Sequence, residues 1–282
     1  IIDVDHKTFN STIEQILEAV NKKTVAIVVV NLFGLLVDLK KLKLMLPKSI
    51  KIIEDSACAI GSKFNDDFSG KYSDYSIFSF HPRKIITTGE GGIIVSNSKK
   101  RIDKIKILRD HGASSDDISQ HLNIRPPYKM SEFSHLGFNY RMSDISASIG
   151  LGQLSKLDQI ILNRREAAKL YLNLLKDVDW LNLPVFSENV YHTYQSFVCL
   201  IKKGYHIKRN TLLAYLSEKG IATRPGTHAV HNLAYYKKRF GFKTMDFPFS
   251  DYCEKNSFAL PIHNKLKKSD YNFISRMILK YK

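Results

Sequence analysis

Through the first half of the chain, short runs of apolar and β-branched residues alternate with amphipathic stretches. That alternation predicts parallel strands joined by crossover helices. Residues 24–30, 50–54, 75–80 and 92–96 are nearly continuous in apolar character, as strands covered on both faces are. Between them, 11–20 places Ile13, Ile16, Leu17 and Val20 on one helical stripe, and Asp38 opens a Leu-rich helix that Pro47 ends. Ser143 can cap a longer apolar period through Ala147, Leu151, Leu154, Leu157, Ile161, Ala168, Leu170 and Leu174. This stretch reads as one long helix or as two in series.

After Pro184 the texture changes. A strand over 194–201, a helix over 207–219 closed by Gly220, a short strand, a loop around Pro225-Gly226 and two C-terminal helices make a second, smaller α+β unit. No internal repeat or low-complexity linker separates the halves, so the boundary is placed at the start of the long helix. The expected domains are 1–142, a larger α/β unit, and 143–282, a smaller one that includes the long helix. Residues 114–134 are polar, contain Pro126-Pro127 and read as a loop.

Composition narrows the function classes. With 282 residues and 44% hydrophobic content, the chain has enough apolar surface for a sizeable core in a soluble globular protein. The apolar run 25–36 is broken by Asn31 and Gly34 and followed by Asp38, short of the roughly 20 residues that span a bilayer. The opening residues Ile1-Ile2-Asp3-Val4-Asp5 carry neither an initiator Met nor a signal-peptide pattern, and the chain reads as starting within a protein. Cys58, Cys199 and Cys253 are odd in number and far apart, which fits a reducing cytoplasm and neither a disulfide framework nor a metal site. The net charge of +16 attracts polyanions in general. Its lysines are scattered through predicted helices (Lys40, Lys41, Lys43; Lys99, Lys100, Arg101; Lys237, Lys238, Arg239), which points to solvated faces and not to a nucleic-acid stripe.

Candidate chemistry gathers at strand ends. Asp55 follows the second strand, where the carboxyl ends of parallel strands open onto ligand crevices, and Ser79 closes the third. Lys84 comes one loop later, before Gly89-Glu90-Gly91-Gly92. Acid, hydroxyl and amine in this order meet the demands of a pyridine aldehyde cofactor: a carboxylate for the ring nitrogen, a donor for the phosphate and an amine for the aldehyde. Ordinary roles are open to each: a turn or helix cap for Asp55, a strand-end hydroxyl for Ser79, a solvated side chain for Lys84. The glycine run fits neither a dinucleotide loop nor a P-loop and reads as a tight turn into a strand.

The surrounding words are more specific. Ile53-Glu54-Asp55-Ser56-Ala57-Cys58-Ala59, Phe78-Ser79-Phe80-His81-Pro82-Arg83-Lys84 and Thr87-Thr88-Gly89-Glu90-Gly91-Gly92 are followed by Arg109-Asp110-His111-Gly112, Leu136-Gly137-Phe138-Asn139-Tyr140-Arg141-Met142-Ser143-Asp144, Gly150-Leu151-Gly152-Gln153-Leu154 and Leu260-Pro261. In this order and spacing they resemble the DegT-type nucleotide-sugar aminotransferases over nearly the whole chain.

The resemblance implies an aspartate-aminotransferase-like, fold-type-I α/β enzyme: a large pyridoxal-phosphate-binding domain with a mostly parallel sheet, and a smaller α+β domain. It implies that Lys84 carries the cofactor, Asp55 pairs with its ring nitrogen and Ser79 binds its phosphate. Asn139 would reach the cofactor of a second subunit, making a homodimer with shared sites. The family usually has a glutamine where this chain has Cys58, placed to bond the cofactor's ring hydroxyl, and a thiol is a weaker donor. His81, Arg224 and His228 fall in segments that line the family's substrate site, with Arg224 suited to an anionic group.

The implied reaction moves an amino group from an amino acid, glutamate, to a nucleotide-linked keto-deoxysugar. The part of the family's large domain that carries its backbone phosphate loop and ring-stacking aromatic is expected upstream of Ile1. Two rivals remain at this point: a sugar dehydratase of the same fold, and a non-catalytic or regulatory member. No metal-ligand spacing and no Ser-His-Asp arrangement is present.

Overall fold

A computed structural model of the chain describes residues 1–113, 132–184 and 186–281. The first sheet contains β1 (Ala26–Val30), β2 (Lys51–Asp55), β5 (Tyr75–Ser79) and β6 (Gly92–Val95) in the order β1-β2-β5-β6. Two short strands, β3 (Lys63–Phe64) and β4 (Asp67–Phe68), form a hairpin between β2 and β5. β1, β2 and β5 run parallel, with Val30 beside Asp55 and Asp55 beside Ile77.

β6 makes this sheet mixed, mostly parallel as expected. It returns antiparallel to β5, with Ser79 opposite Gly92. The connection over 80–91 contains no helix, and parallel returns are usually made through one.

Helices cover one face of this sheet. Thr12 caps α1 (Ile13–Ala19) in a reciprocal capping box with Gln15, and the Asp38 carboxylate caps α2 (Leu39–Met45) by accepting from the Lys41 N–H. Ile13, Ile16, Val29, Leu39, Leu42, Ile50 and Ile52 close into one core beneath them. On the opposite face Val28 is 63% exposed. α3 (Lys99–Arg109) follows β6.

The long apolar period after Ser143 resolves into two helices. Ser143 caps α4 (Asp144–Leu154), and the chain turns at Ser155 and Lys156 before α5 (Leu157–Leu175). α5 packs onto the second sheet, whose order is β10-β11-β9-β7 from β7 (Leu181–Asn182), β9 (Phe197–Ile201), β10 (Arg224–Pro225) and β11 (Ser257–Leu260). β9 is buried along its whole length. Tyr171, Leu175, Phe197, Phe258, Tyr271 and Ile278 lie at the centre of the largest core. α6 (Arg209–Glu218), α7 (Ala234–Phe240), α8 (Pro248–Asn256) and α9 (Lys268–Lys280) complete the C-terminal half.

The halves are stitched together. β3 pairs with β8 (Val190–Tyr191), Phe9 packs on Val198 and Leu200, and Ile85 and Ile86 pack on Ile161 of α5. No described helix is long and apolar enough to cross a membrane.

Candidate active site

Because β2 and β5 run in the same direction, their carboxyl ends bring Asp55 and Ser79 to one edge of the first sheet. Asp55 is half-buried, and its Oδ1 accepts from the Ala57 N–H at 3.1 Å. Ser79 Oγ accepts from the His81 N–H at 3.3 Å, which leaves the hydroxyl proton without an acceptor among the described residues. Lys84 is half-buried, and its amine contacts the Cys58 sulfur at 3.1 Å. No carboxylate forms an ion pair with Lys84 among the described residues, so its amine is uncompensated, and the loop that carries it follows the strand end that presents Ser79, beside the one that presents Asp55. That set fits a phosphorylated pyridine aldehyde, which needs one of each.

The loop carrying Lys84 is fixed from three directions. Ile85 and Ile86 are buried against Ile161. The Gln153 side chain of α4 grips Thr87 through both backbone groups, accepting from its N–H at 3.1 Å and donating to its carbonyl at 2.7 Å. Buried Gln195 donates to the Arg83 carbonyl at 2.9 Å. The turn out of the loop depends on Gly91, whose φ of +150° is in the region that favours glycine. A Cβ there would stand 2.5 Å from Thr88 Oγ1.

Beneath Asp55 lies a polar network that pattern reading did not find. Glu54 is 2% exposed. One carboxylate oxygen accepts from Asn31 Nδ2 and Ser69 Oγ, both at 2.8 Å, and the other from the Gly70 N–H at 2.7 Å. Asn31 also donates to Ser56 at 3.0 Å and accepts from the Val37 N–H at 3.0 Å. The residues on either side of Asp55 are thereby held by a satisfied buried network, which fixes the backbone that presents it. The only sequence signal for this was an acid at an inward-facing strand position.

Of the remaining candidates, His81 lies on the Lys84 loop and bonds Ser79 and Lys84 through its backbone, whereas the side chains of Arg224 and His228 form no hydrogen bond or ion pair with Asp55, Ser79 or Lys84. His81 keeps its Nε2 at 3.9 Å from Glu90, and its Nδ1 accepts from the Arg83 N–H at 3.2 Å. Exposed Arg224 donates to Ser196 at 3.3 Å. Ser196 bonds Gln195, so Arg224 connects through two side chains to the Lys84 loop. His228 is exposed and lies 4.0 Å from Glu254.

Asn139 is exposed and bridges backbone to backbone with Asp110, while Arg141 pairs with the Asp110 carboxylate. Its side chain makes no hydrogen bond to Asp55, Ser79 or Lys84. Arg164 was also missed. Its guanidinium, pushed down to about 10 by burial, donates to the carbonyls of Tyr194 and Gln195 and so positions Gln195. No cluster of metal ligands occurs among the described residues.

The α/β scaffold is that of the fold-type-I, pyridoxal-phosphate-dependent aminotransferases. Over residues 1–278 the chain belongs to the DegT/DnrJ/EryC1/StrS aminotransferase family, and pyridoxal phosphate is the cofactor expected of it. An uncharacterised protein of Methanocaldococcus jannaschii is 32% identical over 95% of this chain and 70% of its own length. GDP-perosamine synthase of Escherichia coli O157:H7 is 32% identical, covering 85% of this chain and 62% of the relative. UDP-4-amino-4,6-dideoxy-N-acetyl-beta-L-altrosamine transaminase of Campylobacter jejuni is 31% identical, covering 88% and 63%. The chain thus spans about two thirds of these relatives.

Among solved structures, a putative sugar aminotransferase of Streptococcus pneumoniae superimposes with a TM-score of 0.89 at 23% identity, covering 98% of this chain and 74% of the other. The E. coli GDP-4-keto-6-deoxy-D-mannose-3-dehydratase, with bound hydrated PLP, gives 0.85 at 26% identity, covering 98% and 73%.

Proposed function

We propose that Asp55, Ser79 and Lys84 hold pyridoxal phosphate and that the protein moves an amino group from an amino acid, glutamate, to the keto group of a nucleotide-linked deoxysugar. The observation that carries this reading is the Lys84 amine, anchored on a loop held from three sides and left unpaired by any carboxylate. Asp55 meets the ring nitrogen, Ser79 donates to the phosphate and Cys58 stands where the ring hydroxyl is bonded in relatives. When bound, the cofactor supplies an electron sink for a carbanion at the carbon that gains or loses the amino group.

The protein's own residues do the rest. Lys84 Nζ would act as the general base that takes the proton from the donor's carbon and as the general acid that delivers one to the sugar carbon. The packing of Ile85 and Ile86 on Ile161 fixes the backbone that carries that amine. His81, Arg224 and His228 face the substrate, and the Arg224 guanidinium takes an anionic group of the nucleotide or the donor carboxylate.

The working unit is a homodimer in which Asn139 completes the partner's phosphate site. Leu136, Phe138 and Tyr140 flank that asparagine in the chain, and Ile145 and Leu151 follow on α4, all exposed and apolar, which suits a second copy. The chain divides near residue 143 into the two domains expected from the sequence. Free thiols at Cys58, Cys199 and Cys253 suit a cytoplasmic protein.

Two relatives named for nucleotide-linked sugars support the acceptor class. The likeness to a dehydratase makes removal of a sugar hydroxyl the second reading. The amine at Lys84 favours transfer, because reversible amino transfer needs a side chain that can form and exchange an imine.

Paired half-reactions test the proposal. Full-length protein loaded with pyridoxal phosphate should change absorbance to the amine form of the cofactor on adding glutamate, releasing 2-oxoglutarate. Adding nucleotide-linked 4-keto- or 3-keto-deoxysugars should restore the first spectrum and give an amino sugar by mass spectrometry. Loss of water from the sugar with no nitrogen gained would establish the second reading instead.

A further inference from the structure

Cys58 has a chemical consequence beyond replacing an amide. Its sulfur stands 3.1 Å from the Lys84 amine. Both groups sit on anchored backbone. The Cys58 turn is pinned by the Ala59 N–H to Ser56 carbonyl bond at 2.8 Å, with Ser56 fully buried, and the Lys84 N–H bonds the His81 carbonyl at 2.9 Å.

We propose that Cys58 and Lys84 form an oxidative modification site: a hydroperoxide converts the Cys58 thiol to a sulfenic acid, which the Lys84 amine captures as a sulfenamide. In the first step the sulfur attacks the peroxide, an S–O bond forms and the O–O bond breaks. The thiol proton leaves with the departing oxygen as water (or as an alcohol from an organic peroxide). Sulfur is oxidised by two electrons and the peroxide is reduced by two. In the second step the Nζ lone pair attacks sulfur, the N–S bond forms and the S–O bond breaks. The hydroxyl leaves with an amine proton as water, with no further redox change. A dithiol reverses the bridge, restoring thiol and amine as it becomes a disulfide.

Three observations favour this pair. The lysine stem is flexible, so the amine can close on sulfur without moving the backbone. Cys58 is half-exposed, whereas Cys199 and Cys253 are buried. Burial holds the Cys253 thiol up at about 12 and the Cys199 thiol higher still, so neither offers the thiolate that peroxide attacks. Oxidation is therefore directed to the cysteine that has an amine beside it.

The consequence for function rests on the reading of Lys84 as cofactor carrier. A bridged Lys84 has no amine for the aldehyde, and a Lys84 already bonded to the cofactor cannot capture sulfur. Bridge and cofactor therefore exclude each other.

The test exposes full-length protein to limiting hydrogen peroxide in two forms, stripped of cofactor and loaded with pyridoxal phosphate, and follows intact mass and peptide maps. In the stripped form the mass should fall by that of one hydrogen molecule. The Cys58 and Lys84 peptides should be recovered joined, and dithiothreitol should separate them. Cys58→Ser and Lys84→Arg should each abolish the joined peptide, and the loaded protein should resist bridging at least tenfold. If Cys58 in the stripped form goes to sulfinic acid with Lys84 unlinked, bridges to a backbone nitrogen or to another cysteine, or retains oxygen in the link, the proposal is overturned. A bridge that forms equally in the loaded form upholds the modification site and contradicts Lys84 as the carrier, so the two ideas fail separately.

Discussion

Single residues at this site act through what they are denied as much as through what they touch. Asp55 and Lys84 form no ion pair with each other among the described residues, which leaves acid and amine free for different parts of one ligand. Asp55→Ala should therefore still bind the cofactor covalently while the glutamate half-reaction slows by several orders of magnitude, measured by stopped-flow absorbance. A rate within tenfold of the parent would remove Asp55 from the mechanism.

His192 is a second case. Its ring stacks on Phe186 at 4.8 Å between centroids, its Nδ1 accepts from the Tyr194 N–H at 2.7 Å, and burial pushes its pKa down to about 3. The unfolded chain takes up a proton below about pH 6.5 that the folded chain refuses until about 3. Stability from this group is thus complete above pH 6.5 and is lost on acidification, by up to about 1.4 kcal/mol per pH unit. Urea unfolding at pH 7 and pH 5 should show that loss in the parent and a smaller one in His192→Asn. Equal losses would contradict the assignment. The strand-end place of Asp55 was legible in the sequence, whereas Lys84 stood out from other loop lysines only through the motif around it. His192 was not legible, because its burial depends on residues that meet only after folding.

At the scale of elements, periodicity and punctuation carried far. Asp38 and Pro47 bound their helix where the sequence places them, the first helix starts two residues after its expected position, and β2 and β5 lie within a residue of expectation. The direction of β6 was not legible, since an apolar run reads the same for either direction and only the helix-free return over 80–91 decides it. The break between α4 and α5 was left open because Leu154 and Leu157 continue the apolar period across it. The supports of the Lys84 loop were hidden for another reason: Gln153 and Gln195 reach backbone groups 66 and 112 residues away, and no local pattern encodes such bonds.

Two predictions belong to this scale. Asn31→Ala strips one donor from the buried Glu54 carboxylate and should cost about 1–3 kcal/mol in urea unfolding, with weaker cofactor binding. Unchanged stability would mean that the network does not hold the strand end. Gln153→Ala frees Thr87 and should lower kcat by about tenfold or more while leaving the fold intact by circular dichroism. An unchanged kcat would mean the loop is fixed by Ile85 and Ile86 alone.

At the scale of the whole molecule, the two sheets meet around the Lys84 loop, with α4 and α5 on one side and the Gln195 segment on the other. The proposed dimer adds a second copy at the apolar surface around Asn139. Lys84→Ala and Asn139→Ala subunits, each inactive alone, should regain activity when mixed and reassociated, because one hybrid site then holds both groups. No recovery, with Asn139→Ala shown to be impaired by itself, would refute the shared site. The sequence motifs anticipated the family, whereas the assembly depends on surfaces that a single chain leaves exposed.

The central claim is that Lys84 carries the cofactor, and borohydride reduction of the loaded full-length protein tests it most directly. The account predicts the phosphopyridoxyl label on the peptide containing Lys84, at one label per subunit. Labelling of any other lysine, or none, would contradict it.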